Sequence, residues 1–298
     1  MLRSGVIGDG LWAVIEPVLP SGAGRRGRPW NDHRKTLEAI AWRFRTGCPW
    51  RDLPAQFGAW QSVWERHQRW SLDGTYAAMF DAVRAHTADD DARAAGLMSI
   101  DSTSIRAHQH AAGARSTSPP PTQGARSNYK DLPGEPVDHA LGRSRGGWTT
   151  KIHALTDEHC SPITMLLTPG QAGDNPMLVP LLTAHRERQR APFRLLADKA
   201  YSHPSTRAHL RTAKISHTIP ERSDQIAHRK AKGSRGGRPP SFTADTYRHR
   251  NTVERGFNRI KHWRGIATRY DKYALTYLGG VTLAALVIHH RTHLPDTP

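Results

Sequence analysis

Cysteine is nearly absent from this chain. Cys48 and Cys160 are the two among 298 residues, far apart and in no CxxC pair. That excludes a disulfide-stapled scaffold and zinc sites of recognised cysteine spacing, and it fits a reducing, intracellular compartment. Long apolar runs are also missing. The most apolar stretch, VTLAALVI at 281–288, is far short of the ~20 residues a membrane-spanning helix needs. The opening MLRSGVIGDGLW lacks the long apolar core of a signal peptide, so a soluble chain with no membrane partner is expected. Negative charge is scarce as well: 26 Asp+Glu stand against 43 Lys+Arg, a net charge of +17. Such an excess, supplied mostly by arginine, points to a polyanion as partner, and nucleic acid is the usual one.

Residues 1–95 read as helical and hold most of the nine tryptophans. Leu11, Trp12, Ile15, Val18 and Leu19 make the stripe of a short amphipathic helix, stopped by Pro20 and the basic turn GAGRRGRPW. A second helix at about 32–46 buries Leu37, Ile40, Ala41 and Phe44, with Gly47 placed to end it. PWRDLPAQFG reads as a short helix or turn, AWQSVWERHQRW as a third helix, and about 74–87 as a fourth. Short helices joined by tight turns, with basic residues on the third, suit a helix-turn-helix-like DNA-binding unit. Arg43, Arg66 and Arg69 are its candidate DNA contacts, and the aromatics read as core.

From residue 96 the periodicity changes. GLMSID is a strand ending on Asp101, and WTTKIHALTD and PITMLLTPG are its successors. A helix at about 175–189, the strand FRLLAD, a helix at about 203–213 and the strand ISHTIP follow. Two long helices, about 243–263 and 272–290, close the chain. The result is a mixed α/β sheet flanked by helices, giving a helical domain 1–95 and an α/β domain 96–298. Two Gly/Pro/Ser-rich basic stretches, about 109–147 and 228–241, read as exposed, mobile loops.

The chemistry sits on acidic residues. Asp101 and Asp198 end strands, and parallel neighbouring strands would bring both carboxylates to one sheet edge. Asp198 has a second reading as the cap of the helix after it. Glu254 lies within YRHRNTVERGFNRIKHW, where Tyr247, Arg250, Glu254 and Lys261 share one helix face at intervals of 3, 4 and 7. Three convergent carboxylates hold hard, oxygen-loving cations. Taken alone, Arg250 and Glu254 are equally an ordinary i,i+4 ion pair. Asp174 reads as a helix N-cap. His108-x-His110 lacks a partner cysteine, and the glycines of 232–237 lack the strand and helix that nucleotide binding needs.

Together these motifs resemble insertion-sequence transposases of the DDE type. The Tyr-x₂-Arg-x₃-Glu-x₆-Lys spacing matches that family's signature, and SIDSTSIRAH and LLADKAYS resemble the Asp motifs of its insertion-sequence five branch. GRSRGGWTTKIHALTD looks like the intervening strand motif. TGCPWRDLP at 46–54, followed by Phe57, Gly58, Trp60, Val63, Arg66 and Trp70, resembles the N-terminal helical domain. One departure is Ala200, where the family usually has Gly.

The resemblance implies an RNase H-like core with Asp101, Asp198 and Glu254 as ligands of Mg²⁺, two ions per site, with Mn²⁺ able to substitute. It implies DNA contacts by Arg250, Lys261 and Tyr247, and as partners the element's terminal inverted repeats and target DNA. It further implies a dimer or larger assembly on paired ends, in a bacterial cytoplasm and at the nucleoid when DNA-bound. A catalytically silent DNA-binding protein and an RNase H-fold nuclease are the competing readings.

Overall fold

The computed structural model describes residues 5–21, 30–87, 96–114, 132–187 and 193–294. Four helices come first: α1 (Asp9–Ile15), α2 (His33–Thr46), α3 (Trp60–Leu72) and α4 (Thr75–Thr87). α1 is shorter than its apolar stripe, because the chain tightens to a 3-10 turn over Glu16–Val18 in which Pro17 has no N–H to carry the α-helix onward. α2 starts where the Asp32 carboxylate accepts the Lys35 N–H at 2.6 Å. It ends at Gly47, whose φ of 73° is the left-handed conformation that terminates helices without a Cβ penalty. The expected basic turn at 22–29 lies outside the described residues.

The α/β part runs β1 (Gly96–Ala107), a single turn α5 (Gln109–Ala112), β2 (Gly142–Ser144), β3 (Gly147–Thr156), β4 (Pro162–Pro169), α6 (Leu178–Arg186), β5 (Phe193–Ala197), α7 (Pro204–Thr212) and β6 (Ser216–Thr218). After it come α8 (Ser223–Ala231), α9 (Ala244–Arg248), α10 (Asn251–Lys261), α11 (Arg264–Ala267), β7 (Thr268–Arg269) and α12 (Ala274–His293). β1 is central. It runs antiparallel to β3 on one edge and parallel to β5, then β7, on the other. β6 extends the parallel side, and β4 and β2 lie antiparallel on the far edge of β3. An antiparallel triple extended by two parallel strands, in the order β4-β3-β1-β5-β6, is the RNase H-like arrangement expected.

Side-chain alternation then assigns the two faces. Ile100, Leu155, Leu195 and Ala197 enter one core with Leu178, Leu181 and Leu182 of α6 and Leu210 of α7. Ile105, Ile152 and Ala154 enter the other with Val253, Phe257 and Ile260 of α10 and the buried length of α12. Leu37, Ile40, Phe44, Trp70 and Met79 of α2–α4 belong to this second core, so the N-terminal helices close over α12. The approach is tight: a Cβ on Gly280 would lie 2.1 Å from the Phe44 ring. No helix among the described residues is long and apolar enough to cross a membrane.

Three expectations need correction. β1 does not stop at Asp101 but continues to Ala107, because antiparallel pairing with β3 carries it on. The helix expected over 243–263 is broken at His249–Arg250, where Arg250 N–H bonds Tyr247 O at 3.0 Å and Thr252 N–H bonds His249 O at 3.0 Å, three residues back instead of four. Both loop segments are partly regular. Residues 142–147 belong to the β2–β3 hairpin, and 228–231 complete α8, a helix with no buried residue that is tied by Arg229 to Glu221 at 2.9 Å. Residues 115–131 of the first loop lie outside the described residues.

Candidate active site

Asp101 and Asp198 reach the same place by register. The parallel ladder of β1 and β5 ends with Ile100 opposite Ala197, so each aspartate is the next residue of its strand. Both are out of phase with Ile100 and Ala197, which enter the α6–α7 core, and so both face α10. Each is tied to its own backbone through Oδ1: Asp101 Oδ1 accepts the Ser102 N–H at 2.8 Å, and Asp198 Oδ1 the Ala200 N–H at 2.8 Å. Asp198 therefore does cap the 3-10 turn Lys199–Tyr201. Capping with Oδ1 leaves Oδ2 for other work, so the two readings of this residue coexist. Ala200 is not among the residues with positive φ, so its methyl is accommodated where the family usually has Gly.

The third carboxylate comes from α10. The Thr252 hydroxyl donates to Ser99 Oγ at 3.0 Å, pinning the start of α10 over β1 two residues before Asp101. Arg250 then sits between two carboxylates. Its guanidinium donates to Asp101 Oδ2 at 3.3 Å and to Glu254 Oε1 at 2.8 Å. The i,i+4 ion pair is thus present, but it extends across the site to the strand. Glu254 keeps 55% of its side chain exposed, against 22% for Asp101, so it forms the solvent side of the cluster.

Because the helix breaks, Tyr247 leaves the face of α10 and packs on Phe242 with ring centroids 5.2 Å apart. It still lies in the field of the site. Burial, opposed by Arg250 and reinforced by Asp198, Asp101 and Glu254, holds its phenol above the usual range. Burial lowers the Lys261 ammonium below its ordinary value.

The donor set fits a hard divalent cation. Burial raises the Asp101 carboxyl from its ordinary value, and Asp198 and Asp174 add to the rise despite the Ser102 N–H and Arg250. One guanidinium leaves like charge uncompensated there. Asp101, Asp198 and Glu254 could hold such ions through oxygens alone.

Asp174 was missed as part of this region. Its side chain makes no cap bond. Asp174 Oδ1 accepts from the Ser102 hydroxyl at 2.6 Å and from Lys151 Nζ at 2.9 Å, with His153 Nδ1 at 4.0 Å. Burial opposes its charge, but those hydrogen bonds and the neighbouring Lys151 and His153 hold its carboxyl below the usual range. The available signal was the pair Lys151 and His153, two polar residues on one face of a strand whose other positions are mostly apolar.

The arginines of the helical part separate by burial. Arg43 is 2% exposed, paired with Asp271 at 2.9 Å and stacked near Phe44 and Trp50. Arg66 is 8% exposed, 2.8 Å from His33 Nδ1 and 4.1 Å over Trp30. Neither presents its guanidinium to a DNA backbone, because the aromatic core that the tryptophans build encloses both. Arg69 is exposed.

Comparison with known proteins adds to this geometry. A family model described as "Putative transposase of IS4/5 family" matches residues 7–80, and one described as "Transposase DDE domain" matches residues 93–287. A protein of Sinorhizobium fredii called uncharacterized protein y4sN is 43% identical over 108 residues, covering 36% of this chain and 81% of that protein. An uncharacterized 16.2 kDa protein of insertion element IS402 from Burkholderia cepacia is 35% identical over 108 residues, covering 34% of this chain and 74% of that protein. Among solved structures, the piggyBac transposase synaptic complex with hairpin DNA covers 95% of this chain and 70% of that chain, at 11% identity and a TM-score of 0.43.

Proposed function

The chain belongs to the family of transposases with a DDE domain, and on that premise we propose that Asp101, Asp198 and Glu254 are the metal-binding carboxylates with which it cuts and joins DNA. It is an enzyme of DNA transposition, and divalent metal ions serve that chemistry. The observation that carries the residue assignment is the convergence on Arg250 and Tyr247. Arg250 bonds Asp101 and Glu254, and Tyr247, whose phenol is raised chiefly by burial, also lies in the field of all three carboxylates.

Two Mg²⁺ ions, replaceable by Mn²⁺, would activate the attacking oxygen and stabilise the leaving one when bound there. The chain's own groups do the positioning. The Ser102 and Ala200 N–H groups hold Oδ1 of Asp101 and of Asp198, and Arg250 at the start of α10 meets Asp101 Oδ2. Arg250 and Lys261, with Tyr247 beside them, contact the DNA backbone near the scissile phosphate. The substrates are the element's terminal inverted repeats, hydrolysed at their ends, and target DNA, which the freed 3′-hydroxyls attack by transesterification. Residues 1–95 serve as the DNA-binding unit, with Arg69 as an exposed cation, and 96–298 as the catalytic unit. Pairing of two ends calls for a dimer or larger assembly, working in the cytoplasm at the nucleoid.

The test incubates purified protein with a labelled duplex carrying an element end, Mg²⁺ and a target plasmid. Asp198→Asn keeps a capping oxygen for Ala200 and removes the ligand charge. Joined products that require Mg²⁺ and vanish in Asp198→Asn support the assignment. Cleavage without joining means a nuclease, and binding without either reaction means a silent DNA-binding protein. Undiminished joining by the variant removes Asp198 from the metal set.

A further inference from the structure

A second group of ligating side chains lies away from the carboxylates just described. Asp157 follows β3 at the hairpin into β4, and His289 and His293 sit one turn apart in the last turns of α12. Their ligand atoms all lie within 4.8 Å of one another. Asp157 is anchored to its own turn by one oxygen. Its Oδ1 accepts the His159 N–H at 2.9 Å and the Ser161 N–H at 2.8 Å, and this turns Oδ2 toward α12. There His293 Nε2 stands 3.2 Å from Oδ2 and His289 Nδ1 3.8 Å from it.

His289 has a second polar neighbour at its other ring nitrogen. The Thr87 hydroxyl lies 2.8 Å from His289 Nε2 and 3.2 Å from Arg84 O. When the hydroxyl donates to the Arg84 carbonyl it accepts from Nε2, and Nδ1 then holds the lone pair. That Nδ1 is buried and has no hydrogen-bond partner among the described residues, and the His289 side chain is only 8% exposed. A lone pair facing a carboxylate oxygen across a buried gap is a repulsive arrangement unless a cation lies between them. An outer hydroxyl fixing the tautomer of an inner imidazole is also how metal-ligating histidines are oriented.

From this geometry we infer that Asp157, His289 and His293 form a structural site for a divalent transition metal of the Zn²⁺ class. Two imidazoles and a carboxylate suit Zn²⁺, whose tetrahedral bonds of ~2.0–2.2 Å set neighbouring ligand atoms roughly 3.4 Å apart, close to the 3.2 and 3.8 Å seen here. His159 is exposed, with its ring 4.9 Å from that of His293.

The scaffold is already assembled around the cluster. Arg259 of α10 donates to His159 O at 3.2 Å and to Ile288 O at 3.4 Å, so α10, α12 and the hairpin meet here. A bound ion would lock the end of α12 to the sheet that carries Asp101, beside the helix that carries Glu254.

The experiment titrates Co²⁺ into the full-length protein and follows its ligand-field absorption, with Zn²⁺ as competitor. Wild type, a triad-neutralised variant (Asp198→Asn with Glu254→Gln), His293→Ala and Asp157→Asn are compared, each checked for fold by circular dichroism. One equivalent of Co²⁺ with imidazole-type absorption, displaced stoichiometrically by Zn²⁺, is expected in the wild type and the triad-neutralised variant. His293→Ala and Asp157→Asn weaken it by roughly tenfold or more, since loss of even an outer-shell partner costs ~10–100-fold. Zn²⁺ raises the melting temperature of the triad-neutralised variant but not that of His293→Ala. Binding that survives in His293→Ala and Asp157→Asn, or is lost on neutralising the triad, overturns the inference. No stoichiometric ion in the wild type leaves the cluster a plain ion pair and overturns it equally.

Discussion

Arg43→Met separates two roles for one arginine. If Arg43 gripped a phosphate, its loss would leave folding intact and reduce the salt dependence of DNA binding by about one unit of slope. The structure assigns it instead to a buried pair with Asp271, in which the two side chains are 3% and 5% exposed. Removing one partner of such a pair costs about 3–5 kcal/mol, because the other charge is left without compensation. Unfolding entropies of ~2.1 cal/mol/K per residue give roughly 0.6 kcal/mol/K for a chain of this length. The expected fall in Tm is therefore about 5–8 °C, read by circular dichroism at neutral pH. A parallel anisotropy titration of a labelled duplex across a KCl series should return the wild-type slope. A Tm within a degree of wild type together with a shallower slope refutes the buried-pair account and restores Arg43 to the DNA interface.

Gly280→Ala would place a methyl 2.1 Å from Cζ and 2.2 Å from Cε1 of the Phe44 ring, and since Phe44 is fully buried the ring has nowhere to turn. An overpacking loss of about 1–3 kcal/mol or more is expected in denaturant melts, and an unaffected midpoint would show that α2 does not dock on α12 this way. Burial pushes His67 and His185 down to about 4. From about 4 up to their ordinary 6.5 the unfolded chain binds more protons, so stability rises with pH through that window and is lost as pH falls through it. Melts from pH 4 to 7 should show this rise in wild type and a weaker one in His67→Phe; equal slopes would assign the effect elsewhere. Arg250→Ala should reduce the salt slope of DNA binding and lower strand cleavage, while unchanged values of both would remove it from the phosphate-facing role.

How much of this was readable beforehand differs from residue to residue. The strand Phe193–Ala197 and the capped helix His33–Thr46 were legible because local pattern and punctuation agreed. Asp101 and Asp198 were legible as a pair, although β1 runs on past Asp101 and it is the parallel register, Ile100 opposite Ala197, that aligns them. The break at His249–Arg250 was not, because no Pro or Gly marks it. It arises where the Thr252 hydroxyl bonds Ser99, 153 positions away. Arg43 and Arg66 were misread for a related reason. Charge on a helix suggests solvent, and only the tertiary placement of Asp271, Trp30 and Trp50 shows these cations enclosed. Asp174 looked like a cap by position, yet Lys151 and Ser102 compete for its oxygen and win.

The site also follows from a gap in the sheet that pattern alone does not reveal. β5 pairs β1 only as far as Ile100, and β7 joins the same edge only at Arg106. Between them the edge of β1 has no strand neighbour among the described residues. A parallel strand that leaves its partner opens a crevice at its carboxyl end, the position where α/β sheets receive ligands. Here the departing strand ends on Asp198, the remaining one presents Asp101, and α10 covers the opening with Arg250 and Glu254. Continued pairing past Ala197 would have buried both aspartates between strand and helix, at a desolvation cost that neither Arg250 nor a hydrated cation could then relieve. The early end of β5 is thus what keeps the two carboxylates both adjacent and reachable.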